Sequence, residues 1–126
     1  MTEEQILETA VRTLDSHKAE HLLVLDIAGL TSIADRFLLA SGSSAAQVRA
    51  LADYLEEALG RLGIAPRRSD GYAAGDWITL DYGDLIVHIF RREVRAFYDL
   101  EHLWCDAPAA DIRAWLLPDG GDTQEG

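Results

Sequence analysis

Two aspartates and a histidine lie close together in the stretch WITLDYGDLIVHIF, and side chains of these types can bind a metal ion or move protons. Asp81 and Asp84 are three residues apart, and His88 follows four residues after the second aspartate. On a strand, four residues span about 13 Å, whereas one ion holds its ligands at about 2 Å. The spacing therefore favours a hairpin that carries polar side chains, and we predict no metal site and no cofactor.

A second candidate for chemistry is the turn from Ser41 to Ser44, SGSS, which stands where a strand should meet a helix. Backbone N–H groups at such a junction attract phosphate. Nucleotide-transferring enzymes also need two carboxylates at positions i and i+2 of a neighbouring strand to hold Mg²⁺, and no predicted strand after this turn carries that pair. An ordinary helix cap is favoured, with a Mg²⁺-dependent nucleotidyltransferase-like enzyme or nucleotide-binding domain as the alternative.

Nucleophilic catalysis has still less support in the sequence. There is no GxSxG motif, and Cys105 is followed by Asp106 instead of a group that would stabilise a thiolate. Because Cys105 is the single cysteine, an internal disulfide is excluded, which fits a reducing compartment. We therefore do not expect nucleophilic catalysis.

The charge balance restricts the kind of partner. The chain has 126 residues, a length that suits one domain, and its 11 basic and 22 acidic residues give a net charge of −11. Nucleic-acid binding takes most of its affinity from cations that neutralise phosphates, so little direct nucleic-acid contact is expected, and a basic protein is the complementary partner. The acidic N-terminus and the interruption of HLLVLDIAGL by Asp26 predict a cytoplasmic protein without a membrane segment.

Helical periodicity predicts two amphipathic helices. Thr2 and Gln5 form a capping-box pattern for the first helix, which should end near His17. Ser44 opens the second helix, and Gly63 should stop it. The buried stripe of the second helix should consist of Val48, Leu51, Ala52, Leu55 and Leu59.

Strands are predicted between and after these helices. The runs LLVLDI (22–27) and FLLA (37–40) do not alternate, which indicates strands that are covered on both faces or central in a sheet. The polar segment PRRSDGYAAGD has room for a short edge strand.

The stretch 77–90 is predicted to be a hairpin whose two-residue loop is YG. That register pairs Asp81 with Asp84 and places Trp77 opposite His88. The core face should contain Ile78, Leu80, Leu85, Val87 and Ile89. The other face should contain Trp77, Thr79, Asp81, Asp84, Ile86, His88 and Phe90. This second face is either a binding surface or is covered by a helix, and the sequence leaves both open.

The C-terminal third is predicted to begin with a short helix over 96–104. Its apolar stripe should consist of Ala96, Phe97, Leu100, Leu103 and Trp104. After Pro108, the run DIRAWLL should form one or two helical turns, and the tail from Pro118 should be disordered. The expected division is a domain over 1–107 and a partly disordered C-terminal extension over 108–126.

Three long motifs resemble the ribosomal silencing factor family, also called RsfS or Iojap-like proteins. They are DIAGLTSIADRFLLASGSSAAQVRALAD, GYAAGDWITLDYGDLIVHIF and RAFYDLEHLWCDA, and the resemblance covers roughly residues 6–107. Arg36 departs from the family pattern, in which an aromatic residue is expected. The resemblance implies a single compact α/β domain with a mixed β-sheet flanked by helices, nucleotidyltransferase-like in fold but without the catalytic carboxylate pair.

The resemblance also implies a function and a surface. Family members do not catalyse nucleotidyl transfer, so the resemblance implies that the chain is not an enzyme. They repress translation by binding the large ribosomal subunit through ribosomal protein L-fourteen, which obstructs joining of the small subunit. The implied partner-binding residues are Trp77, Asp81, Tyr82, Asp84, His88, Tyr98, Glu101 and Trp104. The acidic members would pair with Lys or Arg of the partner, Trp77 and Tyr98 would be apolar anchors, and Trp104 is alternatively core. A homodimer formed through an exposed aromatic face is a further alternative.

Overall fold

The structure, a computed structural model, describes residues 2–117. Within this range the chain forms a single α/β domain of four α-helices, five strands and one 3₁₀ turn. The helices are α1 (Glu3–Ser16), α2 (Ala45–Gly60), α3 (Arg92–Tyr98) and α4 (Leu100–Leu103), and the 3₁₀ turn is Arg113–Trp115. The strands are β1 (Glu20–Asp26), β2 (Arg36–Gly42), β3 (Arg68–Asp70), β4 (Trp77–Asp81) and β5 (Leu85–Arg91).

The strands form one mixed sheet in the order β1-β2-β5-β4-β3. β2 and β5 are parallel, and the other neighbouring pairs are antiparallel. A parallel pair needs a crossover connection, which the segment from α2 to β4 supplies. The predicted mixed sheet flanked by helices is confirmed, and β3 is the predicted edge strand.

Both faces of the sheet are buried. On one face α1 and α2 pack against side chains such as Leu38, Leu80 and Val87. On the other face, α3, α4 and the segments that follow β1 and α4 pack around Leu39 and Phe90. Burial on two faces explains why the runs of β1 and β2 do not alternate, although β1 lies at the edge of the sheet. The predicted stripe of α2 is buried in full.

The predicted helix ends are confirmed with one difference. Thr2 and Gln5 form both hydrogen bonds of the capping box at the start of α1. At the start of α2 the Ser44 hydroxyl accepts the Gln47 N–H, but the Gln47 side chain bonds elsewhere. Gly63, at φ +80°, closes the C-terminal turn of α2.

The hairpin prediction is right about the faces and wrong about the register. Asp81 pairs with Ile86, and Trp77 pairs with Phe90, so each predicted partner is displaced by two positions. Because side chains alternate with a period of two, a displacement of two residues keeps the paired side chains of β4 and β5 on their predicted faces. Asp84, predicted on the same face as Trp77, is instead in the loop and lies beside Glu3 of α1. The two aspartates predicted to face each other are therefore not cross-strand partners.

The loop chemistry explains the displacement. The loop is Gly83-Asp84, and the Tyr82 N–H donates to the Leu85 carbonyl at 2.8 Å to close it. Gly83 has φ +91°, a conformation that glycine adopts without the steric cost that a tyrosine would meet. Glycine therefore takes the first position of the two-residue loop, and Tyr82 belongs to the paired strand end.

The helix predicted over 96–104 is divided into α3 and α4. Asp99, in the left-handed conformation (φ 50°, ψ 57°), ends α3 and caps α4 with its side chain. The division breaks the predicted stripe, because Leu100 stays buried while Phe97 is 80% exposed and Leu103 is 71% exposed.

Of residues 108–117, expected to be an extension beyond the domain, the first three lie along the outer edge of β1. The Ala110 N–H donates to the Val24 carbonyl at 2.9 Å. Ile112 is buried against the helical face of the sheet, and the expected helical turn is the 3₁₀ turn that follows it. The tail from Pro118, predicted to be disordered, lies outside the described residues.

Candidate functional site

A group of aromatic side chains lies on the sheet face opposite α1 and α2. Trp77 stacks on the buried Phe90 with ring centroids 4.9 Å apart and lies 5.0 Å from Tyr98 of α3. Phe97 meets Tyr98 edge to face at 5.1 Å. Tyr98 is 54% exposed and Phe97 is 80% exposed, while Trp77 is half-buried. The apolar surface therefore continues from the core around Phe90 to the solvent. We call the three side chains that form it, Trp77, Phe97 and Tyr98, the aromatic patch.

A groove of about 390 Å³ runs beside the aromatic patch, between α3 and the loop that precedes β4. Val94 contributes to its apolar lining, and Asp76 and Glu93 lie at the groove. Arg91 pairs with both carboxylates, at 2.9 Å and 3.1 Å. One cation between two anions leaves the groove with a net negative charge.

The loop that forms one wall of this groove depends on Gly71. Its φ is +88°, and a Cβ at this position would overlap the backbone carbonyl oxygen of Trp77. A glycine is therefore required for the loop to pass directly against the strand that presents the tryptophan.

His88 lies behind Trp77 and is 7% exposed. The Trp77 Nε1–H donates to His88 Nδ1 at 3.1 Å, so the two are diagonal neighbours and not the directly opposed pair of the prediction. Since Nδ1 accepts, the neutral ring carries its proton on Nε2, which is buried without a hydrogen-bond partner among the described residues. Burial lowers the pKa of His88 to about 4, so the ring is neutral at pH 7.

Two of the predicted residues lie at the hairpin tip, away from the aromatic patch. Asp81 follows Trp77 by four residues along β4, about 13 Å of strand. Its carboxylate accepts the Gly83 N–H at 2.8 Å. Tyr82 turns to the helical face, where burial raises the pKa of its hydroxyl.

Asp84, also at the hairpin tip, belongs to a group of three carboxylates with Glu3 and Asp35. One oxygen of each lies within 4.8 Å of the others. A hydrogen bond to Asp84, together with its negative charge, raises the pKa of Glu3. The three side chains that the sequence offers as candidate metal ligands, Asp81, Asp84 and His88, thus lie in three different surroundings.

Glu101 and Trp104 belong to the α4 region and make contacts within the protein. The Glu101 carboxylate pairs with the buried Arg95, whose Nε and Nη2 lie 3.1 Å and 3.0 Å from it. Arg95 Nη1 also donates to the His21 carbonyl and to Ser41 Oγ. Trp104 is half-buried and packs edge to face on a core phenylalanine at 5.4 Å. The charge of Glu101 is therefore balanced inside the fold.

The SGSS turn uses its serine hydroxyls internally. Ser41 Oγ accepts from Arg95, and Ser44 Oγ accepts the Gln47 N–H. The Ser43 N–H and hydroxyl both donate to the Gln47 amide oxygen. The turn thus serves as a helix cap and holds α3 through Arg95.

The fold brings together only part of the predicted set, and it adds residues that the sequence did not indicate. Trp77, His88 and Tyr98 are neighbours, and Phe97 lies against Tyr98 at the end of α3. Periodicity placed Phe97 in a buried stripe, so no local signal marked it as exposed. Arg95 belongs to the basic run RRxxR at residues 91–95, and a buried cation is not expected in such a run.

No helix within residues 2–117 has the length and apolar character needed to cross a membrane. Fold and site together define a small mixed α/β domain that presents an aromatic patch beside a negatively charged groove, a surface suited to protein recognition.

Residues 1–125 match the protein family described as "Ribosomal silencing factor during starvation". The chain belongs to the ribosomal silencing factor family. The ribosomal silencing factor of Halalkalibacterium halodurans is 39% identical over 112 residues, which cover 89% of this chain and 96% of that protein. A crystal structure of a Chromobacterium violaceum protein superposes with a TM-score of 0.80 at 35% identity, covering 83% of this chain and 88% of that one. The mouse protein "Mitochondrial assembly of ribosomal large subunit protein 1" is 29% identical, covering 90% of this chain and 53% of its own length.

Proposed function

We propose that this chain is a non-enzymatic translation repressor of the cytoplasm that binds the large ribosomal subunit through the basic ribosomal protein L-fourteen. Its bound position would sterically block joining of the small subunit. The observation that carries the proposal is the aromatic patch, which leaves Phe97 80% exposed beside a negatively charged groove. Aromatic anchors within a charged rim are typical of binding surfaces.

Two further observations support the proposal. The net charge of −11 favours a basic partner through electrostatic complementarity. The family description and the name of the mouse relative connect similar proteins with ribosome silencing and with assembly of the large subunit.

We assign different tasks to the proposed partner-facing residues. Trp77, Tyr98 and Phe97 are apolar anchors, because their rings form one surface open to solvent. The exposed Asp84 is a charge point for Lys or Arg at the hairpin tip, and Asp81 is a weaker one because its carboxylate also holds the loop. Glu101, His88 and Trp104 support the aromatic side of the domain from within, and Tyr82 packs beneath the hairpin tip on the helical face.

The proposal is tested by sedimentation of the purified protein with separated ribosomal subunits. At low salt we expect it to move with the large subunit and to stay at the top of the gradient with the small subunit. Raising the salt should weaken this binding, because charged contacts to a basic partner are screened. Free migration in both gradients at low salt would contradict the proposal.

Replacing Phe97 with alanine is expected to weaken binding to the large subunit about tenfold. Because the ring is 80% exposed, its loss should leave the free energy of unfolding almost unchanged. A binding curve from sedimentation, together with urea unfolding, measures both quantities.

The matched control is Tyr54→Ala. Tyr54 is an exposed aromatic residue on α2 that stacks on His17, on the helical side of the domain. Its replacement should leave binding intact. Equal losses of affinity for the two variants would remove the aromatic patch from the interface.

A further inference from the structure

We propose that His88 is a positioning residue, which acts on the partner only by fixing the orientation of the Trp77 ring. This inference rests on the proposed function, in which Trp77 is an anchor for the partner. It differs from the family-based expectation that His88 itself belongs to the contacting surface.

The geometry leaves His88 no route to a partner except through the indole. Its side chain is 7% exposed, and its ring lies edge to face on Phe37 at 4.6 Å. Its one hydrogen bond among the described residues is that accepted from Trp77 Nε1 at 3.1 Å. His88 therefore contacts the anchor Trp77 and does not contact the partner directly.

Trp77 needs such a fixed point. Stacking on Phe90 and contact with Tyr98 hold the plane of the indole. Neither contact distinguishes the two orientations of the ring that are related by a flip about its Cβ–Cγ bond. The hydrogen bond to Nδ1 does distinguish them, because the indole has one N–H and can donate only from that edge. An anchor already held in its bound orientation loses less side-chain freedom on binding.

His88 also has an unfavourable free-energy contribution in the core, which points to the same role. Its Nε2 is buried without a partner, which a buried phenylalanine in its place would avoid. His88→Phe removes this unpaired nitrogen together with the acceptor for Trp77, so we expect the variant to fold. Should this variant not fold, His88→Leu removes the acceptor in the same way.

A double-mutant cycle on large-subunit binding tests the inference. The variants are His88→Phe, Trp77→Phe and the two combined, in the full-length chain. His88→Phe alone should weaken binding about three- to tenfold, the range expected for one hydrogen bond. In the Trp77→Phe background, which lacks the indole N–H, the same replacement should have no further effect.

Nuclear magnetic resonance gives a readout that does not depend on the ribosome. The chain has three tryptophans, so the indole N–H signal of Trp77 can be assigned as the one lost in Trp77→Phe. In His88→Phe this signal should move upfield, while those of Trp104 and Trp115 stay in place.

The outcomes separate this inference from the proposed function. An unmoved Trp77 signal, additive losses in the cycle, or unchanged binding by His88→Phe would each overturn the positioning role. Failure of the natural protein to bind either subunit would instead overturn the proposed function, and a Trp77 signal that moves as expected would not rescue it.

Discussion

Replacing Arg95 with leucine is expected to lower the free energy of unfolding by about 3–4 kcal/mol, the lower part of the range for breaking a buried ion pair by removing one partner. The Arg95 side chain is 9% exposed, whereas its partner Glu101 is 38% exposed and is partly solvated when left alone. The replacement also takes hydrogen bonds from the His21 carbonyl and the Ser41 hydroxyl. Urea unfolding followed by circular dichroism measures the loss.

Arg92→Leu is the matched control. It removes an arginine from the same helix, and this arginine also forms a two-point contact with a carboxylate, that of Glu20. The Arg92 side chain is 54% exposed, and exposed ion pairs contribute little. We therefore expect a much smaller loss for Arg92→Leu, and similar losses for both variants would show that burial is not what makes Arg95 important.

The Arg95 contacts also decide how acidic residues of the surface should be tested. A Glu101→Lys replacement places a second cation beside a buried guanidinium, so any loss of ribosome binding would be mixed with a loss of folding. Asp84→Lys is a cleaner charge reversal, because it relieves repulsion from Glu3 and Asp35. The structure thus distinguishes Glu101, whose charge is paired inside the fold, from Asp84, which is exposed at the hairpin tip.

The sequence predicted the strands of the hairpin and the sheet face of their side chains more accurately than the cross-strand pairs. Alternation with a period of two assigns each side chain to a face, and this signal survives a register displacement of two residues. The pairs depend on which residue accepts a positive φ. Gly83 at φ +91° decides that question, and the rule that favours glycine at the first loop position would have selected the observed register.

The aromatic patch could not be predicted in the same way. Phe97 and Tyr98 lie on the exposed side of α3, whose buried side chain is Arg95, and Asp99 at φ 50° ends this helix. An aspartate tolerates that conformation but seldom requires it, and α3 is also held by hydrogen bonds from Arg95 to residues of β1 and β2. Periodicity within one segment contains no information about such contacts.

The stability of the domain is expected to fall by about 3 kcal/mol between pH 6.5 and pH 4 because of His88 alone. Burial lowers the pKa of His88 to about 4 in the folded protein, against an ordinary value of 6.5. Between these values the unfolded chain binds a proton that the folded chain does not. Acidification therefore favours unfolding over this interval, and above it the contribution disappears because both states are neutral.

Urea unfolding of the natural protein and of His88→Phe, at several values between pH 7 and pH 4, measures this term as a difference. The remaining histidines and all carboxylates are present in both proteins, so their contributions largely cancel. The natural protein should lose about 3 kcal/mol more than the variant over this range. Parallel curves for the two proteins would mean that His88 is hydrated in the folded state.

A neutral His88 is also a condition for the hydrogen bond that it accepts from Trp77. A protonated imidazole donates from both nitrogens, so Nδ1 could no longer receive the indole N–H at 3.1 Å. The burial that destabilises the domain in acid therefore keeps the acceptor available at neutral pH. Stability and anchor geometry depend on the same unprotonated nitrogen, and His88→Phe should remove the additional pH dependence and the fixed orientation of Trp77 together.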